Sequence, residues 1–349
     1  MPTKALVVEG EYLRDILDQP RALWETVKVL TPLATLQRIA DRFRAGEFRA
    51  IVLTGMGSSF HALHPLQLDL IDCGAVALMV ETSELIHYQQ CLFDQKTLIV
   101  AVSQSGQSAE VVRLLEVNRH RSAVVAVTNT PDSPLARQAD AAIVTAAGKE
   151  YSVSCKTYLA ALMGLKWLGD ILCSRDPLRS CQDLDSAIPA VEAYLQQWKT
   201  HVDAFAQRLD GIRHLFMVGR GSSLAAVSTG ALIVKESDRF HAEGMSSAAF
   251  RHGPFEMLSP DTFVLVFAGD AKTRELNVRL LNDIRQQGGS AEMVSDDSLF
   301  EPCILPKVAD CVRPIFEVLP VQMMTLALAA LAGREAGRFE RAMKITATE

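Results

Sequence analysis

Two stretches of this chain recur at one common offset. LFMVGRGSSLAAVSTGALIV (215–234) echoes IVLTGMGSSFHALHPLQLDL (51–70), and TFVLVFAGDAKTRELNVRLLNDIR (262–285) echoes TLIVAVSQSGQSAEVVRLLEVNRH (97–120), each about 164 residues on. Every copy reads as an apolar strand, a turn and a helix. A strand that is apolar throughout is buried on both faces, the condition of a parallel sheet covered by helices. Two copies predict a tandem of two α/β domains, and 349 residues at 49% hydrophobic content suffice for two cores.

The first half shows the alternation in full. Strands are expected at 50–54, 76–80, 98–102, 123–128 and 141–144, with helices between them, which makes a doubly wound parallel sheet of five strands. Residues 11–30 read as one helix or two half-helices around Pro20, amphipathic through Leu13, Ile16, Leu17, Leu23 and Trp24. Helices are also expected at 33–45, 154–174 and 190–209. The polar stretch 175–188, with Pro177 and Pro189 about it, reads as the domain boundary. The expected division is a helical arm at 1–34, a first domain at 35–180, and a second domain with its tail at 190–349.

Ligands of such sheets lie outside the carboxyl ends of the strands. There the first half carries Ser103-Gln104-Ser105-Gly106-Gln107-Ser108, followed by a helix with Glu110 in its first turn. Helix-start N–H groups have no partner within the helix, and the helix dipole adds positive potential. Three serine hydroxyls and a glutamine amide add donors suited to phosphate. A plain helix cap needs one hydroxyl, and here there are three. The stretch lacks the lysine and spacing of a nucleotide P-loop. In the second half Ser103-Gln104-Ser105 becomes Ala268-Gly269-Asp270, so phosphate binding is expected in the first domain only.

A net charge of −6 argues against a nucleic-acid footprint. No run of about 18 uncharged apolar residues predicts a membrane span, and the N-terminus is too acidic for a signal peptide. Seven scattered cysteines without a CxxC pair suggest reduced thiols in a cytoplasmic protein rather than disulfides or a metal site.

The second half carries a further polar run: Lys235-Glu236-Ser237, His241-Ala242-Glu243 and Arg251-His252-Gly253-Pro254. A carboxylate with a histidine suits proton transfer near neutral pH. By spacing alone, Glu236 reads equally well as a solvated helix-end charge, and His252 as a loop histidine capping backbone. Lys344 reads most simply as a solvated lysine near the chain end. Neither GxSxG nor HExxH is present.

SQSGQSAE, the GMGSS turn and HAEGMSSAAFRHGP resemble the sugar isomerase (SIS) domain family, and more closely the isomerase half of glucosamine-6-phosphate synthase. The likeness runs from EYLRDILDQP to KITATE and includes PIFEVLPVQ (314–322). It implies two SIS domains, each a flavodoxin-like doubly wound sheet of five strands. It implies that Ser59, Ser103, Gln104, Ser105 and Ser108 contact a sugar phosphate, with Gly57 and Ser58 as weaker contacts. Glu236 matches the glutamate that moves a proton between C1 and C2, His252 the histidine that opens the sugar ring from the neighbouring subunit, and Lys344 the C-terminal lysine that contacts the open-chain sugar. A homodimer with a shared site follows, with no cofactor.

The departures matter too. Ile233 stands where the synthase has a lysine, and Gly337-Arg338-Phe339-Glu340 replaces its D-x-P-R segment. Before Glu11 there is no room for the ammonia-generating half, and the first cysteine is Cys73, so the chain is not expected to use glutamine by itself. The expected activity is conversion of glucosamine 6-phosphate to fructose 6-phosphate and ammonia. The alternatives are a fructosamine-6-phosphate deglycase, a plain aldose–ketose isomerase, or a non-catalytic sugar-phosphate-binding regulator.

Overall fold

The computed structural model describes residues 8–341 and 344. The chain divides into two compact units. The first comprises residues 19–150, 156–188 and 341–349; the second comprises 1–18, 151–155 and 189–340.

The first unit is built on β1 (Ala50–Gly55), β2 (Ala77–Met79), β3 (Thr97–Val102), β4 (Ala123–Thr128) and β5 (Ala141–Val144). All neighbours pair in parallel, in the order β2-β1-β3-β4-β5. Every residue of β1 and β3 is buried, whereas edge strand β5 alternates buried and half-buried. Central strands covered on both faces must be apolar at every position, which is why they are the plainest runs in the sequence. Val52, Ile99, Val124, Leu114 and Leu135 pack in one core cluster, each such side chain worth about 1.5–3 kcal/mol when fully buried.

The second unit repeats the plan with β6 (His214–Gly219), β7 (Ala242–Ser246), β8 (Thr262–Phe267) and β9 (Ser290–Val294), in the order β7-β6-β8-β9, all parallel. Its core includes Phe216, Phe250, Val264 and Ile284, with the Phe216 and Phe250 rings edge to face at 5.2 Å. Five strands were expected, but among the described residues this sheet has four. In place of the fifth there is a single parallel bridge between Ser295 and Ile304. Glu301–Cys303 is a tight 3₁₀ turn, and Pro302 and Pro306 stand on either side of the bridge. The 3₁₀ turn takes the chain out of extended conformation immediately before the bridge, so no strand forms on that side.

Other expectations also change. The 11–30 segment is two helices, Glu11–Leu17 and Gln19–Val29, broken at Asp18, and the break falls where the chain passes from the second unit to the first. The polar stretch 175–188, read as the domain boundary, lies mostly in the helix Pro177–Gln196, and the chain passes from the first unit to the second between Ile188 and Pro189. Leu184, Ala187, Ile188, Val191 and Leu195 are buried at helical spacing, and Pro177 sits in the first turn, where its missing N–H costs nothing. Beyond Glu340, the described residues Arg341 and Lys344 group with the first unit, while the rest of the tail lies outside the described residues. Cys73 and Cys173 are not free thiols but are joined as a disulfide, their Cα atoms 6.1 Å apart. They end the helices His64–Asp72 and Lys156–Leu172, and a separation of 100 residues gave no sign of the pairing. Among the described residues one helix, Arg313–Leu331, is long and apolar enough to cross a membrane; 89% of it is buried inside the protein, as in a core helix.

The helix Leu224–Asp238 lies close on β7 because Gly244 allows it: a Cβ there would come within 2.5 Å of the Val227 carbonyl oxygen and 3.1 Å of the Ala231 Cβ. Backbone cannot yield as a side chain can. Gly244→Ala is therefore expected to destabilise the second unit by about 1–3 kcal/mol, read as a lowered midpoint in denaturant unfolding, while Gly74→Ala, at an open turn, serves as the comparison.

Candidate functional site

In the first sheet the strand order reverses between β1 and β3, and the register sets Gly55 beside Val102. The two Gly/Ser turns thus leave the sheet side by side at its switch point, where ligands of such sheets bind. Gly57, Ser58 and Ser59 open the short helix Gly57–His61, with Ser58 buried and Ser59 half-buried.

The turn after β3 is fastened from behind. Ser103 N–H donates to Val127 O (3.1 Å) and Leu135 N–H to Gly106 O (3.1 Å). The Gln104 carbonyl accepts from Asn129 N–H (3.1 Å) and from the Thr128 and Thr130 hydroxyls (both 3.3 Å). Gly106 has φ +62°, and a Cβ there would lie 2.6 Å from the Ser133 Cβ, so only glycine fits. Within this brace Ser103 Oγ accepts from Gly106 N–H (3.1 Å) and Ser105 Oγ from Gln107 N–H (3.4 Å). Each hydroxyl spends a lone pair on the loop and keeps its O–H to donate. Ser108 precedes the helix Ala109–Asn118 in extended conformation, yet its side chain makes no cap hydrogen bond. Ser103, Gln104, Ser105 and Ser108 therefore share one braced loop at a helix N-terminus, a geometry made for an anion.

In the second unit the serine of the turn after β6 is engaged by the protein itself. Ser223, fully buried in the turn after β6, donates to Glu317 Oε1 at 2.7 Å. Glu317 comes from the core helix Arg313–Leu331 and is itself fully buried. Burial pushes its carboxyl up to about 7, with Asp270 and Asp310 adding to the rise and the Ser223 bond and Arg313 opposing it. Glu317 lies inside PIFEVLPVQ, but nothing local in the sequence ties it to a serine 94 residues away.

Glu236 stands half-buried in the last turn of the helix Leu224–Asp238. Ile233, where the resemblance leads one to expect lysine, is fully buried one turn earlier. His252 is exposed and ends the helix Ser247–Arg251, its N–H donating to Ala249 O (3.0 Å). Both residues belong to the second unit, on different elements. Lys344 belongs to the first unit and is no solvated tail lysine: its Nζ lies 2.5 Å from Oε2 of Glu150. Glu150, which sequence reasoning missed, is buried and also accepts from the Thr157 N–H (3.0 Å) and hydroxyl (2.7 Å) at the start of the helix Lys156–Leu172.

The SIS domain model matches residues 47–168 and 209–299, the two repeats in turn. The chain belongs to the SIS domain family. The glutamine–fructose-6-phosphate aminotransferase (isomerizing) of Pyrococcus horikoshii is 29% identical over 341 residues, covering 93% of this chain and 56% of that protein. The chain thus spans about half the length of the curated relatives it matches. The C-terminal domain of the glucosamine–fructose-6-phosphate aminotransferase from Francisella tularensis superposes with a TM-score of 0.81 at 21% identity, covering 96% of this chain and all of that one. A glucosamine-6-phosphate deaminase from Thermotoga maritima does so with a TM-score of 0.78 at 17% identity, covering 97% and 100%.

The two SIS units should respond differently to substitution. If the Ser103 and Ser105 hydroxyls donate to a phosphate, replacing both by Ala removes two hydrogen bonds to a charged group, about 1.5–3 kcal/mol each. Phosphate-dependent binding should fall by about 10²-fold or more, whereas Gly269→Ala and Asp270→Ala should leave it within a few-fold; isothermal titration with a hexose 6-phosphate would measure both.

Glu317 makes a pH prediction. Its folded value, about 7, lies above the ordinary 4.5, so the folded state holds that proton more tightly than the unfolded state. The stability it contributes is complete below pH 4.5 and is lost as pH rises through 7, up to about 3 kcal/mol at the alkaline end. Glu317→Gln keeps the Ser223 bond and removes the titration. Its melting temperature should exceed that of the unsubstituted protein by a margin that widens from pH 5 to pH 8.5; a constant margin would mean that the carboxyl does not titrate in this range.

Proposed function

We propose that this chain acts on a phosphorylated amino sugar, converting glucosamine 6-phosphate and water to fructose 6-phosphate and ammonia. The braced serine loop after β3 carries the reading, because it supplies donors for a phosphate at the switch point of the first unit. The curated relatives' isomerase activity and the fold shared with a deaminase support the choice of chemistry.

In the proposed reaction His252, supplied by the neighbouring subunit of a homodimer, opens the sugar ring and exposes the C1 aldehyde. Glu236 takes the proton from C2, leaving an enol between C1 and C2 with the amine still on C2. Glu236 returns the proton to C1, and the product is a 2-imine. Water adds at C2, the C–N bond breaks, and ammonia leaves as the C2 ketone forms. Lys344, held by Glu150, contacts the open-chain sugar. With Ile233 in place of lysine, a related fructosamine 6-phosphate is the second substrate to test.

Ammonia release from glucosamine 6-phosphate, with fructosamine 6-phosphate and fructose 6-phosphate as a comparison panel, tests the substrate class. Glu236→Gln should lower turnover by about 10²–10⁴-fold while sugar-phosphate binding survives, and should abolish deuterium wash-in from solvent at the transferred carbon position. Near-normal turnover would reduce Glu236 to a helix-end charge. Mixing inactive Glu236→Gln chains with inactive His252→Ala chains should restore partial activity through dimers with one intact site. No recovery despite verified subunit exchange would place both residues of a site on one chain.

A further inference from the structure

A helix leaves its last carbonyls without partners inside the helix, and something else must satisfy them when they are not in water. The helix Leu224–Asp238 ends two residues after Glu236. Ile233 O accepts from the Ser237 hydroxyl (2.6 Å) and Lys235 O from the N–H of Arg239, which adopts the left-handed cap conformation at φ 54°. The last two carbonyls of the helix, those of Ser237 and Asp238, are met by one distant segment. Gly337 N–H donates to Ser237 O (3.1 Å), and Arg334 Nη1 to Asp238 O (3.3 Å). Glu340 of the same segment pairs with Arg239 at 2.6 Å.

That segment is itself held. The Gly337 carbonyl accepts from the buried Ser152 hydroxyl at 2.6 Å. Gly337 has φ +72°, and a Cβ there would lie 2.3 Å from Ser152 Oγ and 2.8 Å from the Cβ of Tyr12, which is buried on the first helix. Arg334–Glu340 includes the stretch Gly337-Arg338-Phe339-Glu340 that departs from the synthase pattern.

We infer that Arg334–Glu340 is a strap that positions Glu236 by tying down the last turn of its helix, with Gly337 as the residue on which its fit depends. The inference rests on the proposed role of Glu236. Gly337 and Ser152 are positioning residues, not catalytic ones. A Cβ at 337 pushes the strap away from Ser152 and Tyr12, and the Ser237 carbonyl, next in the chain to Glu236, loses its partner. A misplacement of about 1 Å at a reacting group can cost about 10²-fold in rate.

Gly333 supplies the control. It has φ +64°, but a Cβ there meets nothing within 4 Å, so Gly333→Ala takes similar backbone strain without touching the strap's slot. Gly337→Ala, Ser152→Ala, Gly333→Ala and Glu236→Gln are compared in the full chain, for ammonia release from glucosamine 6-phosphate and for amide hydrogen exchange at residues 235–238. Gly337→Ala should lower kcat by about 10–100-fold with KM within about twofold, and should speed exchange at 235–238. Ser152→Ala should show the same split to a smaller extent, and Gly333→Ala should keep kcat within about twofold. Equal effects of Gly337→Ala and Gly333→Ala, or a loss confined to KM, would overturn the strap. If Gly337→Ala does not fold, the kcat-against-KM split and the exchange rates of Ser152→Ala decide. An inactive Glu236→Gln beside an unaltered Gly337→Ala removes the strap alone; an active Glu236→Gln removes the catalytic reading and the strap with it.

Discussion

A parallel sheet ends all its strands at one edge, and each helix that follows starts there with unpaired N–H groups. Both units of this chain have such an edge, with the strand order reversing between β1 and β3 and between β6 and β8. The donors must be satisfied, by a ligand, by water or by the protein's own groups. The first unit braces its turn from behind and leaves hydroxyl protons to donate. The second brings a carboxyl from its core helix onto the turn's serine. Asp270 stands in the second unit where the first has the Ser105 hydroxyl.

How much of this the sequence disclosed follows from how local each cause is. The central strands were legible because burial on both faces leaves no polar position to confuse the pattern. The serine loop was legible because all its donors lie within six residues. The first turns of the helix Pro177–Gln196 were not: the apolar stripe is narrow, and two prolines and many charges hid a helix that runs through the boundary. In the second sheet the fifth strand gives way to the 3₁₀ turn Glu301–Cys303 and one bridge, a local turn that no apolar pattern announced. Three pairings, Cys73 with Cys173, Glu150 with Lys344 and Ser223 with Glu317, join residues 94 to 194 positions apart. No period or motif in a single chain encodes these, because each depends on which helices the fold sets side by side.

The exchanges of segment between units follow from the same kind of constraint. Asp18 separates two short helices, Glu11–Leu17 and Gln19–Val29, and each buries its apolar face in a different unit. A helix of seven residues has little stability of its own. It persists because Tyr12, Leu13 and Ile16 are buried, with the Thr325 hydroxyl reaching the Tyr12 hydroxyl at 3.5 Å. The tail is held in the first unit by Lys344 in the same manner, through an ion pair with a carboxylate that also receives donors from a helix start.

The two ends of a helix are not electrically equivalent. Its N-terminus favours an anion and its C-terminus disfavours one. The first unit presents helix starts where a phosphate is proposed to bind, and a permanent anion belongs at such an end. The second unit sets Glu317 against the serine that precedes the helix Leu224–Asp238 and carries Glu236 in that helix's last turn. A group whose proposed work is to accept a proton and return it is better placed where its charged form is not favoured. Burial likewise raises the carboxyl of Asp238, in the same turn, well above the ordinary range. In the proposed reaction the tandem repeat thus gives opposite helix ends to its two tasks: holding an anion at a start, and moving a proton at a finish.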